Sequence, residues 1–273
     1  MNFEAFNFHS SVVAGISNAG YVSTTPIQAQ AIKPIMKHRD VMGLAQTGTG
    51  KTAAFALPIL NRLVSLQPNR IRALILAPTR ELAEQFRQAI DTLGRKTRLK
   101  SVTVYGGIGI NPQIQKLKHA DIVVACPGRL LDHIRRHTID LSQVDVLVLD
   151  EADQMFDMGF LPDIRRILHH LPTKRQTLLF SATMPKAIRS LAKDILRNPV
   201  TVQVGNTAPA ETVSHAIYPV SQHRKTDLLL NLVGNTQAGS ILVFTRTKHR
   251  AKNLGNKLAV SGYRTTSLQG NLS

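Results

Sequence analysis

The stretch Ala45-Gln46-Thr47-Gly48-Thr49-Gly50-Lys51-Thr52 combines glycines, hydroxyls and one lysine at a spacing that suits a chain of phosphates. The short apolar run Val41 to Leu44 precedes it, and a helical pattern through Phe55, Ile59, Leu60 and Leu63 follows. Glycines let backbone N–H groups approach phosphate oxygens, and a helix N-terminus adds partial positive charge. Lys51 then reaches the β- and γ-phosphates of a nucleoside triphosphate, and the Thr52 hydroxyl ligates magnesium. Ala45 departs from the usual pattern, which begins with Gly. The competing reading is an ordinary glycine-rich turn, but a strand before and a helix after favour the phosphate site.

Asp150 and Glu151 stand together behind the apolar run Val144 to Leu149. Hydrolysis of a triphosphate needs one carboxylate to hold hydrated magnesium and another to orient or deprotonate the attacking water. Asp150 is assigned to the metal and Glu151 to the water. Lys51, Asp150 and Glu151 are therefore the candidate catalytic residues, and Thr52 and Asp150 the metal ligands. Paired carboxylates are common on solvated surfaces; a buried run in a phosphate-loop chain is what gives this pair weight. Gln28 carries a donor and an acceptor that match the N6 and N7 edge of adenine, although a surface glutamine is the commoner case on chemistry alone.

Three turns, Pro78-Thr79-Arg80, Gly106-Gly107 and Pro127-Gly128-Arg129, offer helix N-termini, exposed N–H groups and two arginines. That set suits phosphodiester oxygens, with ordinary caps and crossover loops as the alternative. Aromatic residues make up only 5% of the chain and Trp is absent, so backbone tracking is favoured over base stacking. Cys126 has no His or Asn in a local nucleophile signature and reads as a small buried hydrophobe. The histidines lack metal-ligand spacing, so no zinc is expected.

Placing these groups together requires a sheet. Strands are expected at 41–44, 73–76, 102–105, 121–125, 144–149, 177–180 and 201–204. Helices alternate with them, among them Val12 to Ala19, Leu82 to Leu93 and Leu191 to Leu196. Thr79 is expected as an N-cap, Pro26 as a helix start and Gly20 as a C-terminal cap. Near-continuous apolar strands alternating with helices imply a parallel α/β sheet covered on both faces, with ligands beyond the carboxyl ends of the strands. A domain over 1–205, a linker at 206–212 and a partial second domain over 213–273 are expected. The second has strands at 213–220, 241–244 and 265–268 and helices at 226–233 and around Ala251 to Leu258.

The 273 residues hold 34 Lys and Arg against 17 Asp and Glu, a net charge of +17 that attracts polyanions. A single cysteine excludes a disulfide framework. No apolar run reaches membrane-spanning length, and the N-terminus lacks the form of a signal peptide. A cytoplasmic protein with no membrane association is expected.

Asp150-Glu151-Ala152-Asp153, together with Ala45 to Thr52 and Ser181-Ala182-Thr183, closely resembles the DEAD-box family of ATP-dependent RNA helicases. The resemblance implies RecA-like domains, ATP and Mg2+ as cofactors, and RNA as partner, with the chain acting as a monomer. It implies that Phe3 and Gln28 hold the adenine and that Gln46, Thr47, Gly48, Thr49, Gly50, Lys51 and Thr52 hold the phosphates. Thr24 stands where Pro is more usual. The three turns above would grip RNA backbone, with Cys126 where Thr is usual. Asp153, Ser181 and Thr183 would couple hydrolysis to strand separation. Phe244, Arg246 and Thr247 match the first motif of a second domain, with Arg246 and Thr247 on RNA. Leu268-Gln269-Gly270-Asn271 is similar to a later segment that usually reads His-Gly-Asp. The later arginine-bearing motifs have no match, so this chain is expected to bind ATP but hydrolyse it poorly and not unwind. A non-catalytic ATP- and RNA-binding clamp and a DNA-directed phosphate-loop ATPase are the rival readings.

Overall fold

The computed structural model describes residues 1–205, 214–237 and 239–269. Among them, seven strands form one sheet: Val41–Leu44 (β1), Ala73–Leu76 (β2), Ser101–Val104 (β3), Ile122–Ala125 (β4), Val146–Leu149 (β5), Gln176–Ser181 (β6) and Val200–Gln203 (β7). All neighbours are parallel, in the order β3-β4-β2-β5-β6-β1-β7. β2, β4, β5 and β6 are buried at every position, as parallel strands must be when helices cover both faces.

The period of two along each strand divides the core. Ile75, Val124, Val148 and Phe180 pack with helices Ser10–Asn18 (α1), Pro26–Met36 (α2), Lys51–Leu63 (α3) and Arg80–Leu93 (α4). Leu74, Val123, Leu147 and Leu179 face Ile110–Leu117 (α5), Pro127–Arg135 (α6), Ala152–Asp157 (α7), Leu161–Leu168 (α8) and Lys186–Ile195 (α9). Each large side chain so buried contributes about 1.5–3 kcal/mol relative to exposure. Seven parallel strands with helices on both faces give the RecA-like α/β architecture that the sequence implied.

Expected boundaries move by a residue or two: β3 runs from Ser101 rather than Val102, and β5 begins at Val146 rather than Val144. Buried polar side chains fix strand starts. Asp40 accepts from the N–H groups of Thr177 at 2.8 Å and Arg197 at 2.7 Å, tying the amino ends of β1, β6 and β7 together. No described helix is long and apolar enough to cross a membrane.

Two compact units are present, residues 1–207 and 208–273. The expected linker lies outside the described residues, as do Gly270 and Asn271. In the second unit Lys225–Gly234 (α10) and Lys248–Val260 (α11) form where helices were expected. The strands expected at 213–220, 241–244 and 265–268 do not form among the described residues. Ile217, Leu242, Phe244 and Leu268 are 92%, 75%, 88% and 85% exposed. An apolar run becomes a parallel strand only where neighbours and helices on both faces bury it, and two helices do not supply that cover.

Candidate active site

The loop between β1 and α3 turns through left-handed glycines, Gly48 at φ +83° and Gly50 at φ +92°. A Cβ at Gly50 would stand 2.5 Å from Gln28 Nε2, so only glycine fits. α3 opens at Lys51, which sets the helix N-terminus at the end of the glycine loop. Lys51 is buried. Its Nζ lies 2.9 Å from Glu151 Oε1, 3.5 Å from Asp150 Oδ1 and 3.2 Å from the Ala45 carbonyl. Thr47 Oγ1 donates to the same Glu151 oxygen at 2.9 Å. Thr49 Oγ1 turns back to the Gln46 carbonyl at 2.7 Å, and Gln46 is exposed. Thr52 is half-buried in the first turn of α3.

Asp150 directly follows β5, and Glu151 comes next in the left-handed region, at φ +55°. That turn points the Glu151 N–H at Asp150 Oδ1, 2.8 Å away. Burial pushes the Asp150 carboxyl up to about 6, against the pull of Lys51. Removed from water, it gains from a hard cation beside it. Magnesium takes one or two carboxylates and keeps its waters and the substrate phosphates, so Asp150 with the Thr52 hydroxyl suits that ion. No group of three or more His, Cys, Asp or Glu able to hold a metal occurs among the described residues.

Gln28 is buried, and its amide is engaged: Nε2 donates to the Gly50 carbonyl at 3.1 Å and Oε1 accepts from the Thr25 N–H at 3.0 Å. One N–H and one lone pair remain for another partner. Phe3 is buried with its ring 6.1 Å from that of Tyr21.

The three turns gather at the carboxyl ends of β2, β3 and β4. Thr79 Oγ1 caps α4, accepting from the Leu82 N–H at 3.3 Å. Arg80 leaves that cap exposed, its guanidinium 5.7 Å above the Tyr105 ring and beside Gly107. Pro78 is buried beneath it, Gly106 and Gly107 are open, and Pro127 and Gly128 form the first turn of α6. Arg129 Nη1 donates to the Ile108 carbonyl at 2.9 Å, which fastens the second turn to the third. Burial, then the Glu81 charge, push the Cys126 thiol up to about 11, so it is an unreactive packing residue.

Asp153, on α7, accepts from both the N–H and the hydroxyl of Thr183 at 2.8 Å, and its own N–H donates to Ser181 Oγ at 3.1 Å. Burial pushes the Asp153 carboxyl up, but the Thr183 and Ser181 hydrogen bonds outweigh it and hold the group below the usual carboxylate range. The helix after Glu151 is thus clamped to the end of β6. Arg246 and Thr247 belong to the second unit, where both are exposed and Thr247 Oγ1 caps α11 by accepting from the Arg250 N–H at 3.2 Å.

A family model for DEAD/DEAH box helicases matches residues 25–191. The chain belongs to that family. It is 42% identical over 273 residues to the DEAD-box ATP-dependent RNA helicase RhpA of Helicobacter pylori, covering 99% of this chain and 55% of RhpA. It is 41% identical to the DEAD-box ATP-dependent RNA helicase CshA of Bacillus subtilis, covering 100% of this chain and 56% of CshA. The chain spans about half the length of these curated relatives. A crystal structure of a DEAD box protein from Methanococcus jannaschii superposes with a TM-score of 0.72 at 36% identity, covering 100% of this chain and 74% of that one. Within this DEAD-box chain, three features of the site escaped the sequence. Thr25-x-x-Gln28 is half of a capping box, a signal that could have shown Gln28 turned onto its own helix start. The Ala45 carbonyl and the ring of Tyr105 act through position alone, which no residue pattern marks.

Proposed function

We propose that the protein is an ATP-dependent RNA helicase that couples ATP hydrolysis to local unwinding of RNA duplexes. On this reading residues 1–205 form the first helicase domain, 206–212 a linker and 213–273 part of a second domain. ATP enters above Gly50 with its adenine toward Gln28 and Phe3. Loop N–H groups and the start of α3 take the phosphates, and Lys51 neutralises the β- and γ-oxygens. Asp150 and Thr52 would hold magnesium, which supplies charge neutralisation of the phosphate oxygens when bound. Glu151 orients the attacking water. RNA lies by its backbone across the turns of Arg80, Gly107 and Arg129, and Asp153 with Ser181 and Thr183 carries the change between the two sites. ATP and RNA then each promote binding of the other. The protein works as a monomer in the cytoplasm, where both ligands occur.

The observation that carries this reading is the meeting of Lys51 with Asp150 and Glu151 at 3.5 and 2.9 Å, at the mouth of the glycine loop. Arginine fingers contribute about 10³- to 10⁵-fold in related phosphoryl transfer, and we assign none to these residues. The 273-residue chain is accordingly expected to bind Mg·ATP while turning it over slowly. Calorimetric titration tests this: Lys51→Ala should weaken Mg·ATP by roughly 10- to 100-fold, the worth of a charge-assisted contact. Unchanged affinity in Lys51→Ala would refute the site. RNA-stimulated turnover as fast as that of a full-length relative would refute the slow hydrolysis alone.

A further inference from the structure

Between Asp91 and Asp121 the sequence contains no Asp or Glu, yet carries Arg95, Lys96, Arg98, Lys100, Lys116 and Lys118. All six are exposed, and none enters an ion pair among the described residues. Four lie on the loop before β3, while Lys116 ends α5 and Lys118 lies on the loop before β4; buried Asp121 ties the two loops together. Asp121 Oδ2 accepts from the Lys100 N–H at 2.8 Å, and its own N–H donates to the Lys100 carbonyl at 2.9 Å. The first loop is shaped from within: the Thr97 N–H and hydroxyl both donate to the Gly94 carbonyl, at 2.7 and 2.6 Å. Leu99 turns onto the core between exposed Arg98 and Lys100.

These loops sit at the amino ends of β3 and β4, and β3 is the edge of the sheet. α5 joins them to the turns at the opposite end, running from just after Gly107 back to Leu117, about 12 Å at ~1.5 Å per residue. Its exposed residues, Asn111, Pro112, Gln115 and Lys116, include no carboxylate. On α4, Glu84 and Asp91 are held by Arg87 and by Thr103 and Ser101, and exposed Glu81 lies 3.9 Å from Arg80. A polyanion seated at the turns could therefore follow α5 to the basic loops without meeting a carboxylate on that helix. The loops themselves expose no large hydrophobic side chain, as a protein-docking surface would.

We infer that this basic edge is a second RNA-phosphate surface, which takes the duplex flanking the strand held at the turns. The inference rests on the RNA reading above. It is tested by binding titrations of a short single strand and of the same strand joined to a hairpin, each over a range of salt. The combined variant Arg98→Gln, Lys100→Gln, Lys118→Gln should bind the hairpin RNA at least ~10-fold more weakly. Its slope of log affinity on log salt should fall by roughly 2–3, about 0.7–0.9 per lost contact. Affinity for the short strand should stay within about twofold. The charge-keeping variant Arg98→Lys, Lys100→Arg, Lys118→Arg should match wild type, and melting midpoints of all three proteins should agree. If the Gln variant melts early, Arg95→Gln with Lys96→Gln carries the same comparison. Unchanged hairpin binding in the Gln variant, or equal loss on both RNAs, overturns the inference. So does intact hairpin binding with lost polyglutamate binding, which would assign the edge to an acidic protein. Failure of wild type to bind the short strand would instead bring down the RNA reading, and this surface with it.

Discussion

Asp150→Asn probes the centre of the site without removing its shape. The wild-type carboxyl moves from 3.8 to about 6 on folding because burial disfavours its charge. A rise of that size makes the ionised side chain cost roughly 3 kcal/mol of stability at neutral pH. The sign follows from proton counts. Between those two values the folded chain holds the proton and the unfolded chain does not, so stability from this group rises as pH falls. Roughly half of this arrives between pH 7.5 and pH 5, and the rest below pH 5. Asn at this position cannot titrate but can still accept the Glu151 N–H. Urea unfolding of both proteins across this range, without nucleotide, reads the group together with its coupled neighbours Lys51 and Glu151, since titrations away from this site cancel in the difference. The wild-type stability minus that of Asp150→Asn should climb by roughly 1–2 kcal/mol from pH 7.5 to pH 5. A difference that stays flat, or falls, would show that Asp150 is not the desolvated carboxyl described here.

Gly50→Ala should lower stability by about 1–3 kcal/mol, because alanine at φ +92° is strained and its Cβ meets the Gln28 amide; thermal unfolding reads the loss, and Mg·ATP affinity should fall with it. His133 is fully buried, with Nδ1 on Thr138 Oγ1 at 2.8 Å and Nε2 without a partner. Burial, then Arg129, hold its imidazole below the usual 6.5, so wild type should lose stability from this group as pH falls below that value, and His133→Leu should abolish that loss. Unfolding midpoints at a series of pH values provide the check.

The sheet was legible because parallel strands covered on both faces leave nearly unbroken apolar runs, as in Ala73–Leu76 and Val146–Leu149. Strand order was not, since β1 lies between β6 and β7 through contacts more than a hundred residues apart. The same apolar signal misled in the second unit, where Leu242 and Phe244 stay exposed: a run marks the capacity for burial, and only neighbours supply it. The phosphate loop and the carboxylate pair were legible because their chemistry fixes residue type at fixed spacing. Asp40 and Asp121 were not, because a buried carboxylate that accepts backbone N–H groups has no type or spacing to distinguish it from a surface one.

Lys51 links nucleotide binding to the chemistry proposed for Glu151. Its ammonium is shared among the Ala45 carbonyl, Asp150 and Glu151, and Thr47 adds a second donor to the same Glu151 oxygen. A carboxylate oxygen held by two donors has little capacity left for a water. Phosphate oxygens arriving at the loop compete for Lys51 and Thr47 as charged acceptors, and each such contact has a net worth of ~1.5–3 kcal/mol. Glu151 then loses its donors at the moment a water must be oriented. A triphosphate carries more negative charge than the carboxylate it replaces, so the exchange still favours binding while it frees Glu151. On this reading Lys51 acts twice: it adds to the hold of the loop N–H groups and the start of α3 on the phosphates, and it releases the carboxylate when the triphosphate is in place.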